Sequence, residues 1–237
     1  MKPRFPNGSL SGSNQATSWP FHRSQPDAGP TWPLGGAIDV PSVMGSFATY
    51  AGGKLGGFKG RPLQPGDTLP CHGAQLLTSP RILPGNFIPS YPSRVVLRVI
   101  PGPQEDYFNM DVTPMFDTDY MVTAKADRMG YRLQGDPVPI KEDMPKSIVS
   151  EPAMPGSIQI TPDEQPIILL VEQTVGGYAK IATVISSDLP KLAQATPGDT
   201  IAFKNIDLNT AHTIHREEKL KLDAIKTSLR FLDLQPG

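Results

Sequence analysis

The stretch Pro92-Ser-Arg-Val-Val-Leu-Arg-Val-Ile100, closed by Pro101-Gly102, decides the fold class. It is short, rich in β-branched and apolar residues, and bounded by turn residues, so it reads as a strand. Similar runs follow at Tyr120 to Lys125, Tyr131 to Gln134, Ser157 to Ile160, Pro166 to Glu172, Ile181 to Ser186 and Thr200 to Lys204. Several short strands separated by turns argue for a barrel or a sandwich. The 22 glycines and 27 prolines in 237 residues support this, because a helical bundle would not tolerate so many breakers. Two helices are expected. One is short, from Asp188 to Gln194, with Asp188 as its N-cap and Pro190 in the first turn. The other is amphipathic, from about Thr210 to Phe231, and is expected to pack along one side through Ala211, Ile214, Leu222, Ile225 and Leu229.

Composition sets bounds on function. Net charge is −1, and no basic block interleaves with aromatics, so nucleic acid is not an expected partner. Cys71 is the only cysteine, which points to a reducing, cytoplasmic setting. The longest apolar run, Pro166 to Val171, is far too short to span a bilayer, so no membrane association is expected. His212 and His215 lie three apart, but no cysteine or acidic cluster accompanies them, and no metal site is expected. No phosphate loop, dinucleotide fingerprint, nucleophile elbow or zinc-protease motif occurs.

Three segments are candidates for chemistry. In Leu34 to Pro41 and Met44 to Tyr50, Asp39, Ser46 and Thr49 can hydrogen-bond a polar substrate; local turn formation explains them equally simply. In Asp127 to Leu133, Arg128 offers a fork suited to a carboxylate or phosphate, and Tyr131 offers a flat face and a hydroxyl. The competing reading is that Asp127 and Arg128 cap a strand end. The third segment, Glu172-Gln-Thr-Val-Gly-Gly-Tyr-Ala-Lys180, lies between two apolar runs, and its Gly176-Gly177 pair reads as a hairpin turn. Glu172, Gln173, Thr174, Tyr178 and Lys180 are unusually polar for such a turn. Lys180 can stabilise a developing oxyanion, and Glu172 can orient it or move a proton.

Six blocks in order carry a family resemblance: GGAIDVPSVMGSFATY, KLGGFKGRPLQPGDTLP, RVIPGPQEDYF, ADRMGYRLQG, SEPAMPGSIQITPDEQPIILL and EQTVGGYAKIATVISSDLPKLAQATPGD. The chain from Leu34 to the C-terminus resembles the biotin-dependent carboxyltransferase family, which includes allophanate hydrolase subunit 2, the regulator KipA and the C subunit of 5-oxoprolinase. The resemblance implies a mainly β, cyclophilin-like barrel. It also implies a partner of the KipI or allophanate hydrolase subunit 1 type and, in 5-oxoprolinase systems, a third subunit of the LamB/YcsF type. The implied activity is ATP-dependent processing of a small amide or lactam, such as 5-oxoproline or a urea-derived amide, by a hydrolase-type complex. In carboxyltransferase relatives, carboxybiotin on a partner supplies the carboxyl group. The alternatives are a KipA-like regulator that grips its partner, or an inactive fragment of a disrupted gene. Within the matched blocks, Lys180, Glu172, Tyr178 and Arg128 are the candidate catalytic residues. Asp39, Ser46, Thr49, Tyr131, Gln173, Thr174, Gly176 and Gly177 are the candidate substrate-binding residues.

The chain also departs from the family pattern. Phe47-Ala48-Thr49 stands where Arg-Ser-Thr is usual, Val175 where Thr is usual, and Ala179 where Pro is usual. Met1 to Pro33 lacks apolar periodicity and matches no family block, so it is expected to be disordered or frame-shifted, leaving residues 34–237 as a domain incomplete at its front. Writing Pro26 to Leu34 as CCG GAT GCC GGA CCT ACC TGG CCC TTG and reading from the third base gives G-C-R-T-Y-L-A-L, the strand the family usually carries there. Genomic sequencing tests this: codons that cannot yield that string in another frame sink it.

Overall fold

A computed structural model describes residues 37–72, 87, 89–111, 113–171 and 175–231. They fall in two compact units, one within Pro30–Pro80 and one within Arg81–Gly237.

The first unit is held by turns rather than by long strands. Strands β1 (Ala37–Ile38) and β2 (Cys71–His72) pair antiparallel. Between them the chain makes tight bridges at Val43 to Ser46 and Tyr50 to Leu55. Gly57 sits at φ +49, and a Cβ there would strike Thr49 Oγ1 and its backbone. The Gly66-Asp67 turn forms as expected: Gly66 is left-handed and the Asp67 amide bonds Gln64 O. Arg61 clamps Asp67 with two bonds of 2.7 and 2.6 Å.

The second unit is built on β3 (Arg94–Pro101), β4 (Tyr120–Val122), β5 (Gly130–Gln134), β6 (Glu151–Pro152), β7 (Ser157–Ile160), β8 (Pro166–Leu169), β9 (Val175–Gly176), β10 (Lys180–Val184) and β11 (Thr200–Asn205). Seven of these form a closed barrel in the order β10-β3-β11-β4-β5-β8-β7. Within the barrel itself, closure leaves no open edge to recruit a foreign strand. Strand β3 alternates, with Val95, Leu97 and Val99 buried and Arg94, Val96 and Pro101 exposed. Strands β7 and β8 are buried at every position. Leu97, Phe108, Met115, Tyr120, Ile181 and Ile201 anchor the core, each burial contributing about 1.5–3 kcal/mol. The Tyr120 ring lies over Gly135, where any Cβ would meet it at 2.6 Å.

Five expectations change. The strand from Tyr120 stops at Val122, because Thr123 and Lys125 form a turn in which Thr123 Oγ1 accepts the Lys125 amide. Gly176-Gly177 is not the turn of a hairpin between the flanking apolar strands. β7 lies between β8 and β10 in the barrel, and the short strand β9 pairs instead with β6. Asp188 does not cap α1 (Leu189–Leu192) with its side chain, which is committed to Arg98 and Lys191. The C-terminal helix α2 (Leu208–Phe231) begins earlier than expected, because Asp207 accepts bonds from the Thr210 amide and hydroxyl. Of its expected apolar face, Ala211 is buried, Ile214 and Ile225 are half-buried and Leu222 is exposed. The Leu229 side chain lies outside the described residues, so full burial on the described part of this face is limited to Ala211.

Candidate functional site

Strand register fixes which residues share an end of the barrel. β10 begins at Lys180, which pairs with Gln159 near the end of β7, and β3 reaches the same end at Pro101, opposite Ala182. β5 begins at Gly130, opposite Leu169, the last residue of β8. Leu169 O in turn accepts the amide of Gly156, just ahead of β7. Arg128, two residues before β5, therefore stands at the rim opposite Lys180, and the two are not brought together.

At the Lys180 rim the backbone turns tightly. Gly102 N donates to Ile181 O at 2.9 Å, and Gln104 N donates to Lys180 O at 3.2 Å. The Gln104 side chain then accepts the Lys180 amide through Oε1 at 3.0 Å and donates through Nε2 to Glu151 Oε1 at 2.8 Å. The Lys180 side chain is 3% exposed, and its Nζ meets the same Glu151 oxygen at 2.5 Å. Glu151 itself is 41% exposed, held from behind by its pairing with Gly176. The Lys180 ammonium, then the Gln104 amide, hold the Glu151 carboxyl below the ordinary carboxylate range, against an opposing push from burial. Buried Gln159 donates to Tyr178 O at 3.4 Å, and Ile148 N donates to Gly177 O at 2.8 Å. A Cβ on Gly176 would lie 2.0 Å from the Gln159 amide nitrogen, so glycine lets the short ribbon close on this glutamine.

The other candidates are distributed as follows. Tyr178 is half-buried, two residues from Lys180. Glu172, Gln173 and Thr174 lie outside the described residues. Tyr131 is buried and its hydroxyl donates to Ala195 O at 3.2 Å; burial raises its pKa. Asp127 accepts the Met129 and Gly130 amides, so it shapes the turn into β5, while Arg128 is exposed. In the first unit, Ser46 Oγ accepts the Ala48 amide and Thr49 Oγ1 accepts the Phe58 amide. Asp39 lines a cleft of about 500 Å³ with Phe58, Lys59 and Asp67.

Gln104, Glu151 and Gln159 were not singled out from the sequence. Gln104 and Glu151 are 47 residues apart, and Glu151 and Lys180 are 29 apart, so no local spacing marks them. All three nonetheless fall inside the ordered blocks quoted above. A phosphate-bearing cofactor finds little at this rim: no glycine-rich loop leads into a helix among the described residues, and the Lys180 charge is already matched by Glu151.

A closed, mainly β barrel carries a buried lysine joined to a partly exposed carboxylate at one rim, and comparison with known proteins assigns this frame to a family. Residues 33–205 match the model of the carboxyltransferase domain, subdomain A and B, and the chain belongs to that family. It is similar to the C subunit of 5-oxoprolinase from Haemophilus influenzae, 35% identical over 193 residues, covering 81% of this chain and 60% of that protein. The Escherichia coli 5-oxoprolinase C subunit is 33% identical, with 78% and 59% covered. The crystal structure of the K. lactis urea amidolyase superposes with a TM-score of 0.71 at 27% identity, covering 81% of this chain and 13% of that one. The chain thus spans about 60% of the length of the two 5-oxoprolinase relatives.

Proposed function

We propose that this chain is a subunit of an ATP-dependent amide- or lactam-processing enzyme of the 5-oxoprolinase kind, a hydrolase-type complex completed by a partner subunit of the KipI or allophanate hydrolase subunit 1 type. The observation that carries the reading is the Lys180–Glu151–Gln104 cluster, built into a chain similar over most of its length to the 5-oxoprolinase C subunit. Opening an amide develops negative charge on oxygen and requires the nitrogen to be held and released. A carboxylate fixed by an ammonium and an amide gives that nitrogen a preorganised acceptor. The nucleotide belongs to the assembled complex in this reading, and any carboxybiotin to a partner.

The test is reconstitution. Purified chain is combined with the partner subunit and a LamB/YcsF-type third subunit, and glutamate release from 5-oxoproline is followed with and without ATP. ATP-dependent glutamate formation that requires this chain is the expected result. No turnover by the complete set, where the complex itself forms, contradicts the reading and favours a regulatory, partner-gripping protein.

A further inference from the structure

The two charges at the Lys180 rim are presented very differently. The Lys180 ammonium is 3% exposed and points at Glu151 Oε1. That one oxygen takes both the ammonium and the Gln104 amide nitrogen. Among the described residues, Glu151 Oε2 receives no hydrogen bond, and the Glu151 side chain as a whole is 41% exposed. The Gln104 amide is not free to turn over, because its Oε1 accepts the Lys180 backbone N–H and only Nε2 is left to face Glu151. The glutamate backbone is fixed as well, by the Glu151–Gly176 pairing. One oxygen of the carboxylate is anchored by two donors, and the other is left without a hydrogen bond among the described residues, on a partly exposed side chain.

We propose that Glu151 is the residue of this site that touches substrate, accepting the N–H of an amide or lactam through Oε2, and that Lys180 is a positioning residue acting through it. The assignment rests on the amide-processing reading above. With both neighbouring donors, Lys180 and Gln104, spent on Oε1, the ionised Oε2 is left to accept a neutral N–H group and disfavours a second carboxylate, so the amide nitrogen is the part of the substrate turned towards it. The depressed pKa makes Glu151 a poor proton acceptor but keeps it an ionised hydrogen-bond acceptor, which suits orientation rather than proton abstraction. Lys180 is buried too deeply to meet substrate first, and it keeps the carboxylate charged and aimed.

The experiment compares 5-oxoproline with N-methyl-5-oxoproline in the reconstituted assembly, using the wild type, Glu151→Ala and Lys180→Met. A charge-assisted bond to the N–H should make the wild type prefer 5-oxoproline by about 10- to 100-fold in kcat/KM. Glu151→Ala should lose activity on 5-oxoproline by a similar factor and bring the ratio of the two substrates close to one. Lys180→Met should compress the ratio partially. A merely structural carboxylate would lower both substrates equally, and that result overturns the proposal, as does an unchanged ratio. If Glu151→Ala fails to assemble, Glu151→Gln keeps the shape and decides by the same ratio. Wild-type assembly with no turnover on 5-oxoproline overturns the functional reading itself, and this assignment with it.

Discussion

Gly102 shows how narrowly the Lys180 rim is built. A Cβ there would lie 2.2 Å from Lys180 O and 2.7 Å from Ile181 C, both backbone atoms that cannot step aside. Gly102→Ala should therefore push the Gln104 turn off β10 and unpin Glu151. A misplacement of about 1 Å costs on the order of 100-fold in rate, so kcat/KM in the reconstituted assembly should fall by about that factor. Unchanged kcat/KM would mean that the Gln104 turn does not position the site. Gly176 is the softer case, because its clash is with the far end of the Gln159 side chain. At this scale the sequence was only partly legible. Lys180 stood out as a polar residue beside an apolar strand. Its carboxylate partner Glu151 did not, because it is brought to Lys180 through a two-residue ribbon, while Glu172, the choice read from the sequence, lies outside the described residues. Such a short pairing leaves no periodic trace in sequence.

Asp188 ties separate elements together. It has no exposed side-chain surface, receives two bonds from the Arg98 side chain at 2.8 and 2.7 Å and one from the Arg98 amide at 2.8 Å, and meets Lys191 Nζ at 2.7 Å. Burial pushes its pKa up, but the Arg98 and Lys191 bonds outweigh that and hold it below the ordinary value. Asp188→Ala leaves a half-buried guanidinium unmatched and should cost about 3 kcal/mol in urea unfolding. A loss of under about 1 kcal/mol would contradict this account. In the first unit, Asp67 is lowered from 3.8 to about 2, chiefly by Arg61 and then by the Gln64 amide. The folded pKa lies below the unfolded one, so its contribution is present above about pH 4 and lost as pH falls towards 2. NMR of the Arg61 and Asp67 side chains should show the pair intact at about pH 5 and opening below about pH 3, with Asp67→Asn removing the transition.

Strand β3 was legible because its apolar residues and its Pro-Gly stop are local. The Gly176-Gly177 hairpin misled because two apolar runs flank it, while the intervening partner, β7, comes earlier in the chain. Asp188 looked like a cap because a carboxylate before Leu-Pro suits that role. Its true partner, Arg98, is 90 residues away. Helix α2 was expected in the right region, starting two residues late, but its apolar stripe overstated its packing, since Leu222 of that stripe is 54% exposed.

For the whole molecule, closure of seven short strands explains how a chain so rich in glycine and proline keeps a single core in its larger unit. Barrel closure needs partners far apart in sequence, such as the parallel β3–β11 pair, and no single segment announces it. The abundance of short strands nevertheless made a barrel or sandwich the expected class, and the family blocks narrowed it to a barrel. No helix among the described residues is long and apolar enough to cross a membrane. In the function proposed above, this chain supplies the amide-holding site of a multi-subunit enzyme. The most direct test of that proposal is the rate of glutamate formation from 5-oxoproline and ATP by the partner subunits, with this chain added or left out. Turnover is expected only when the chain is present. Equal rates with and without it, or no turnover from a complex that has demonstrably assembled, would contradict it.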